Sequence, residues 1–267
     1  MRQRILEVNI EIQHIVDWIK EYFVKNGNKD TKAVIGMSGG KDSTIAATLL
    51  VRALGADRVV GVLMPNDYQA DIEEAQDICD YLGIKWYEID IGPTYRTLCR
   101  DFAELTDLEV DSRIETNTPA RLRMTTLYMV AAAVGGRVCC TDNASESYIG
   151  YSTKYGDLAG DFAPLRDYYV REVLAIGEGL GLAQRWVYKT PTDGMCGKTD
   201  EENIGLTYAE MDAYNLDGVT PSYDKLRIMT DMHNRNRHKN AINLPGPRPK
   251  TRHWNDKDYI PEDWCEF

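Results

Sequence analysis

Residues 32–43 read KAVIGMSGGKDS. The apolar run Ala33-Val34-Ile35 predicts a short buried strand, Ser38-Gly39-Gly40 a tight turn, and the apolar-periodic segment from Thr44 to Leu54 a helix. A strand, a glycine turn and a helix start make a ready anion site. Two adjacent glycines open backbone conformations closed to other residues, so that N–H groups converge on one concavity. The positive end of the helix dipole adds attraction for phosphate. Ser38 and Ser43 offer hydroxyl donors and Lys41 a full charge, whereas Asp42 repels phosphate unless a magnesium ion sits between them. A Walker loop is excluded, because the Gly-Lys-Thr at 197–199 has Thr192 where the first Walker glycine belongs.

The chain of 267 residues can bury a sizeable core. Lys and Arg number 31 against 42 Asp and Glu, and the formal charge of −11 argues against nucleic-acid or anionic-membrane partners. No apolar run approaches the roughly 20 residues of a membrane span, and the N-terminus mixes acids into its apolar stretch, unlike a signal peptide. A cytoplasmic location is expected. None of the six cysteines forms a C-x-x-C pair, and reduced core thiols are expected, Cys139-Cys140 in a strand among them.

Outward from the loop, the spacing of Ile5, Val8, Ile12, Ile15, Ile19, Tyr22 and Phe23 predicts a helix over 4–25. Strands are expected at 58–64, 85–89 and 137–141, with helices at 71–82, 93–105 and from Asn117, a potential cap, to Val134, with Pro119 in the first turn. Such alternation predicts an α/β fold, a doubly wound parallel sheet with helices on both faces. Ligands then bind outside the carboxyl ends of the strands, where Ser38 and Thr141 share an edge. Residues 142–167 read as a long functional loop. Helices are expected near 168–180, 208–215 and 222–236, and a loop at 191–203. The chain reads as a single domain over 1–267 with a surface tail at 244–267.

The SGGKDS loop resembles the pyrophosphate-binding loop of the ATP pyrophosphatases, the adenine nucleotide alpha hydrolase-like group that adenylates a substrate oxygen. Four further stretches resemble ammonia-dependent NAD synthetases: Asn117-Thr-Pro-Ala-Arg121-Leu-Arg123, Thr141-Asp-Asn-Ala-Ser-Glu146, Gly150-Tyr-Ser-Thr-Lys154-Tyr-Gly-Asp157 and Asp161-Phe-Ala-Pro-Leu165. Pro191-Thr192, the stretches at 198–201 and 205–208, and a weaker echo at His238-Lys239 add to it. This resemblance implies that Gly36, Met37, Ser38, Gly39, Gly40, Lys41, Asp42 and Ser43, with Thr141 and Thr192, bind ATP, and that Asp42 and Glu146 hold magnesium. It implies that Arg121, Lys154, Asp161, His238 and Lys239 meet the dinucleotide, and that Asp157 or Asp161 holds ammonium. Without a ligand, Glu146 reads as a solvated loop acid, Arg121 as a surface ion-pair arginine and His238-Lys239 as a solvated helix end.

The implied reaction amidates deamido-NAD to NAD with ATP and ammonia through an acyl adenylate, releasing AMP and pyrophosphate. The chain has no room for a glutaminase domain beside its synthetase part, so ammonia or a separate subunit is the expected nitrogen source. A homodimer is implied, and the apolar face of the first helix is one surface for it, core packing being the other reading of that face. GMP synthetase and tRNA-thiolating enzymes share the loop but lack support elsewhere, and a non-catalytic nucleotide sensor has no need of two metal carboxylates. One departure stands out: where the family usually places a lysine against ATP, this chain has Val170. Lys41 is the favoured replacement, ahead of Arg171.

Overall fold

The computed structural model describes residues 6–69, 72–189 and 200–239. The elements run α1 (Val8–Asn26), β1 (Lys32–Gly36), α2 (Lys41–Leu54), β2 (Val59–Leu63), α3 (Ile72–Leu82), β3 (Lys85–Glu88), α4 (Gly92–Leu105), α5 (Ser112–Val134) and β4 (Gly136–Cys139). Helices α6 (Ala144–Ile149), α7 (Val170–Gly179), α8 (Gln184–Val187), α9 (Asp200–Ile204), α10 (Tyr208–Asp217) and α11 (Tyr223–Asn236) follow. The four strands are parallel and lie in the order β3-β2-β1-β4.

The order explains why the central strands carry apolar residues on both faces, whereas the edge strand β3 keeps Lys85 and Glu88 exposed. Ala33 and Ile35 of β1, with Val59 and Leu63 of β2, point to one face and pack with α1, α2, α3, α7 and α8. Val34, Val60, Val62 and Val138 point to the other and pack under Val130 and Ala131 of α5. Both faces are covered, as parallel crossovers require. Each fully buried branched side chain is worth roughly 1.5–3 kcal/mol, so the sheet is the main store of stability. The apolar stripe of α1, Ile12, Ile15, Val16, Ile19 and Phe23, is buried in this core. Core packing therefore accounts for that face, and it is not available to a second subunit. A smaller cluster of Ile149, Val170, Ile204, Leu206, Tyr208, Met211 and Met229 gathers α6, α7 and the last three helices.

From β1 the chain winds one way through β2 and β3, then returns to β1's other side as β4. The switch point lies at the carboxyl ends of β1 and β4, where adjacent connections diverge and leave a crevice. Beyond β4, Asp161 and Phe162 extend the edge: the Asp161 N–H donates to Val138 O (2.7 Å) and the Cys140 N–H to Phe162 O (2.9 Å).

Two local expectations are corrected. Helix α5 starts at Ser112, not near Asn117, because the Asp111 carboxylate caps it, accepting from the N–H groups of Arg113 (3.0 Å) and Ile114 (3.1 Å). Pro119 thus lies inside the helix, while Asn117 and Thr116 bond back to the carbonyls of Arg113 and Ser112. The stretch 142–167 also contains helix α6, stabilised by a reciprocal capping box between Asn143 and Glu146. Among the described residues no helix is long and apolar enough to cross a membrane. The described cysteines, Cys79, Cys99, Cys139 and Cys140, are unbridged; burial raises the thiols of Cys79, Cys139 and Cys140, which marks them as inert core groups.

Candidate active site

The chain leaves β1 through Met37, whose side chain is buried in the core and whose N–H continues the sheet to Val62 O (2.9 Å). At Gly39 φ is +74°, a conformation other residues rarely adopt, and a Cβ there would also stand 3.2 Å from the Ala75 nitrogen. The Ser38 hydroxyl accepts from Gly40 N–H (3.2 Å) and shares a hydrogen bond with Ser43 Oγ (3.1 Å), while Ser43 donates to Gly40 O (3.1 Å). The loop is thereby pre-formed at the N-terminus of the fourteen-residue α2.

Lys41 does not project into solvent. Its side chain is 5% exposed, lies 2.8 Å from Asp42 Oδ2 and sits over the Tyr208 ring. Across the crevice, buried Asn143 donates from Nδ2 to Asp42 Oδ1 (3.1 Å) and accepts at Oδ1 from the N–H groups of Ser145 and Glu146. One amide thus ties the phosphate loop to the start of α6, and this brings Asp42 and Glu146 to the same crevice. Burial first, then the carboxylates of Asp42 and Asp142, push the Glu146 carboxyl well above its usual range, and Lys41 offsets this in part. A hard divalent cation fits such a donor set: it supplies the charge these acids lack. Among the described residues no group of three or more His, Cys, Asp and Glu side chains forms a closed cage, so a cation here needs ligand oxygens as well.

Thr141 lies two residues beyond β4, on the same edge as Ser38, and is partly buried. Thr192 and the tail at 244–267 lie outside the described residues. The four basic candidates for the dinucleotide are distant in sequence yet meet in space. Arg121 Nε donates to Lys154 O (3.3 Å), Lys154 Nζ to His238 O (2.7 Å) and Lys239 Nζ to Gly150 O (2.8 Å). Burial lowers the Lys239 ammonium, which the Asp157 carboxylate opposes. Tyr155, between Lys154 and Gly156, has φ +61°, uncommon for an aromatic residue and a mark of a constrained loop.

The two candidate acids differ. Asp161 Oδ2 accepts from Val138 N–H (2.7 Å) and Oδ1 from Tyr128 OH (3.4 Å), so its carboxylate is built into the sheet edge. Asp157 accepts from Thr153 N–H with both oxygens (2.9 and 3.1 Å); the residue reaches the surface, but burial of its carboxyl raises it above the usual range, against the lowering by Thr153 N–H. Sequence reading missed Asn143, although Asn-x-x-Glu is a capping signature. It also missed Asp142, buried beneath the hydroxyls of Ser147 and Ser152, and Arg123, whose Nε donates to Met64 O (3.0 Å) beyond β2.

The NAD synthase family model matches residues 11–243, a span that holds both sides of this crevice. The chain belongs to the NAD synthase family. It is 38% identical to the NH(3)-dependent NAD(+) synthetase of Pyrococcus horikoshii over 210 residues, 78% of each chain. Among solved structures, NMN synthetase from Francisella tularensis superposes with a TM-score of 0.82 at 33% identity, covering 90% of this chain and 98% of that one. The NH3-dependent NAD synthetase from Campylobacter jejuni gives a TM-score of 0.69 at 26% identity, with the same coverage. Against the family pattern, Val170 is buried beside Ile149 and Leu206, and Arg171 forks onto Asp217 at 2.6 and 3.0 Å. Neither side chain is turned to the crevice as a phosphate cation.

Proposed function

We propose that this chain amidates deamido-NAD to NAD with ATP and ammonia. Family membership carries the reading; the joining of the Ser38–Ser43 loop to Glu146 through Asn143 supports it. In this reading Gly36 to Ser43, Thr141 and Thr192 receive ATP, with loop N–H groups and hydroxyls around the pyrophosphate end. Met37 contributes only backbone, since its side chain is core. Asp42 and Glu146 hold magnesium, which supplies neutralisation of phosphate charge when bound. Arg121, Lys154, His238 and Lys239 bind the dinucleotide's anionic groups.

The nicotinate carboxylate attacks the α-phosphorus, forming an O–P bond as pyrophosphate leaves. Ammonia then attacks the acyl carbon, and AMP departs with the C–O electron pair. No side-chain nucleophile is needed; the residues position the reactants and stabilise charge. Of the two acids, Asp157 suits ammonium better, because its carboxylate acts on Lys239 of the dinucleotide cluster while that of Asp161 is spent on Val138 N–H and Tyr128. Asp161 then shapes the substrate wall rather than the ammonium site.

A second reading concerns substrate length. The solved structure with the 0.82 TM-score is an NMN synthetase, and nicotinate mononucleotide carries the same reacting carboxylate without the adenylyl half. Both readings are tested by incubating the protein with ATP, magnesium, ammonium and each substrate, and by comparing kcat/KM. Formation of NAD, AMP and pyrophosphate with preference for deamido-NAD is expected. Preference for the mononucleotide transfers the function to NMN synthesis; ADP and phosphate as products overturn both.

The protein is also proposed to act as a homodimer. With the α1 face buried, the surface that suits a second copy lies on α4, the following turn and α5, where Leu98, Leu105, Leu108 and Met129 are exposed. Arg121 is on the same helix α5, so a second copy there lies next to the dinucleotide site.

A further inference from the structure

We infer that Lys189 is a phosphate-binding residue of the ATP site; this rests on the reading that the Ser38–Ser43 loop receives the pyrophosphate end of ATP. Lys189 follows α8, which packs on α2 through buried Trp186 and Val187 near Ile45. That packing carries the lysine across to the phosphate loop. A Cβ built on Gly39 would stand only 3.5 Å from Lys189 Nζ. The ammonium therefore flanks the same glycine whose left-handed backbone opens the N–H concavity. Its side chain is 16% exposed, with the Glu74 carboxylate at 3.0 Å and 46% exposed.

The loop's other cation is already engaged. Lys41 is buried against Asp42 and Tyr208 on the α6 side of the crevice. Arg171 is held by Asp217, and Val170 carries no charge. Lys189 approaches the opposite flank of the loop, at Gly39, with Glu74 as its counter-ion there. A bound phosphoryl group docked on the loop N–H groups lies within reach of Nζ and substitutes for Glu74. Phosphate oxygens bear more charge than one carboxylate, and Glu74 lies on the solvent side, where its own attraction is screened. The same contact holds departing pyrophosphate, so Lys189 bears on both ATP affinity and product inhibition.

The test is calorimetric binding of magnesium-ATP and of magnesium-pyrophosphate to the full chain, without turnover. Lys189→Gln is expected to weaken both by roughly tenfold, the scale of one charge-assisted hydrogen bond. Lys189→Arg should remain within about threefold of wild type, since the charge and donors persist. Glu74→Gln should bind pyrophosphate at least as tightly as wild type. Wild-type protein that binds neither ligand overturns the phosphate-loop reading itself. Wild type that binds both, with Lys189→Gln equal to it, overturns the role of Lys189 alone. So does weakened binding by Glu74→Gln, which would make the pair a structural brace.

Discussion

The side-chain amide of Asn143 donates to Asp42 Oδ1 across 3.1 Å, joining two residues 101 positions apart. The same side chain caps α6 and so sets where Glu146 begins. Asn143→Ala should cost about 1 kcal/mol through the lost cap and should lower turnover, since both acids lose their common support. Asn143→Asp keeps a capping oxygen but adds a carboxylate beside Asp42. Its melting temperature should fall without magnesium and recover with it, because a ligand that binds only the folded state stabilises it. Melts with and without magnesium check this. Asp42→Asn and Glu146→Gln should each reduce magnesium-dependent turnover by tenfold or more, on the scale of a lost transition-state contact; both should still fold, Asp42→Asn with a lowered melting temperature because it removes the carboxylate paired with buried Lys41. Full activity in either would move the metal site elsewhere.

Lys41 is buried and neutralises Asp42. Lys41→Gln removes the nearest cation from a crevice that also holds Asp142 and Glu146. Breaking a buried pair costs about 3–5 kcal/mol when one charge is left bare; with Asp42 partly exposed the loss should be at the low end or below. The expected result is a lowered melting temperature, partly restored by magnesium, and a several-fold rise in the KM for ATP with that for deamido-NAD nearly unchanged. Unchanged ATP kinetics would confine Lys41 to a structural role.

Val170 sits in the cluster of Ile149, Leu206 and Met211. Val170→Lys, which the family pattern suggests as a restoration, should destabilise the protein and fail to rescue Lys41→Gln, because it buries a charge without a partner. Arg171→Ala should leave the KM for ATP unchanged. It removes a half-exposed ion pair with Asp217, worth at most about 1 kcal/mol. An ATP defect in Arg171→Ala, measured by steady-state kinetics, would contradict this assignment.

Burial pushes the Asp142 carboxyl up to about 6, against the lowering by the hydroxyls of Ser147 and Ser152 and with further raising by Asp157 and Asp42. Its unfolded value is about 3.9. Between these values the folded protein holds the proton more tightly than the unfolded chain, so this group's stabilisation is lost as pH rises through the window. The stability difference between Asp142→Asn and wild type, without magnesium, should shift in favour of the variant from about pH 4 to about pH 6 and then level off. Urea melts across that range measure it; a pH-independent difference would mean that Asp142 titrates normally.

A second copy on the α4–α5 surface should be visible by light scattering as a dimer. Met129→Glu places a charge on exposed apolar surface and should yield a monomer without loss of the fold. A fully active wild-type monomer would remove the dimer from the mechanism.

The sequence by itself determined the strands, their parallel class and the phosphate loop. Those signals are local: apolar runs bounded by turn residues, helical periodicity and an SGG turn are written in consecutive positions. The family resemblance, rather than any local pattern, pointed to Glu146, Arg121, Lys154 and His238-Lys239. It misplaced the start of α5, because Asp111 and Asn117 are both good caps and only the packed helix chooses between them. Only tertiary structure decided which charges are available. Lys41 reads as a free loop cation until Asp42 and Tyr208 enclose it, and Asp161 reads as an open acid until it meets Val138 N–H. Lys189 carries no motif at all. Its place beside Gly39 comes from the packing of α8 on α2, a long-range contact that no local pattern encodes, because burial and pairing depend on neighbours far away in the chain.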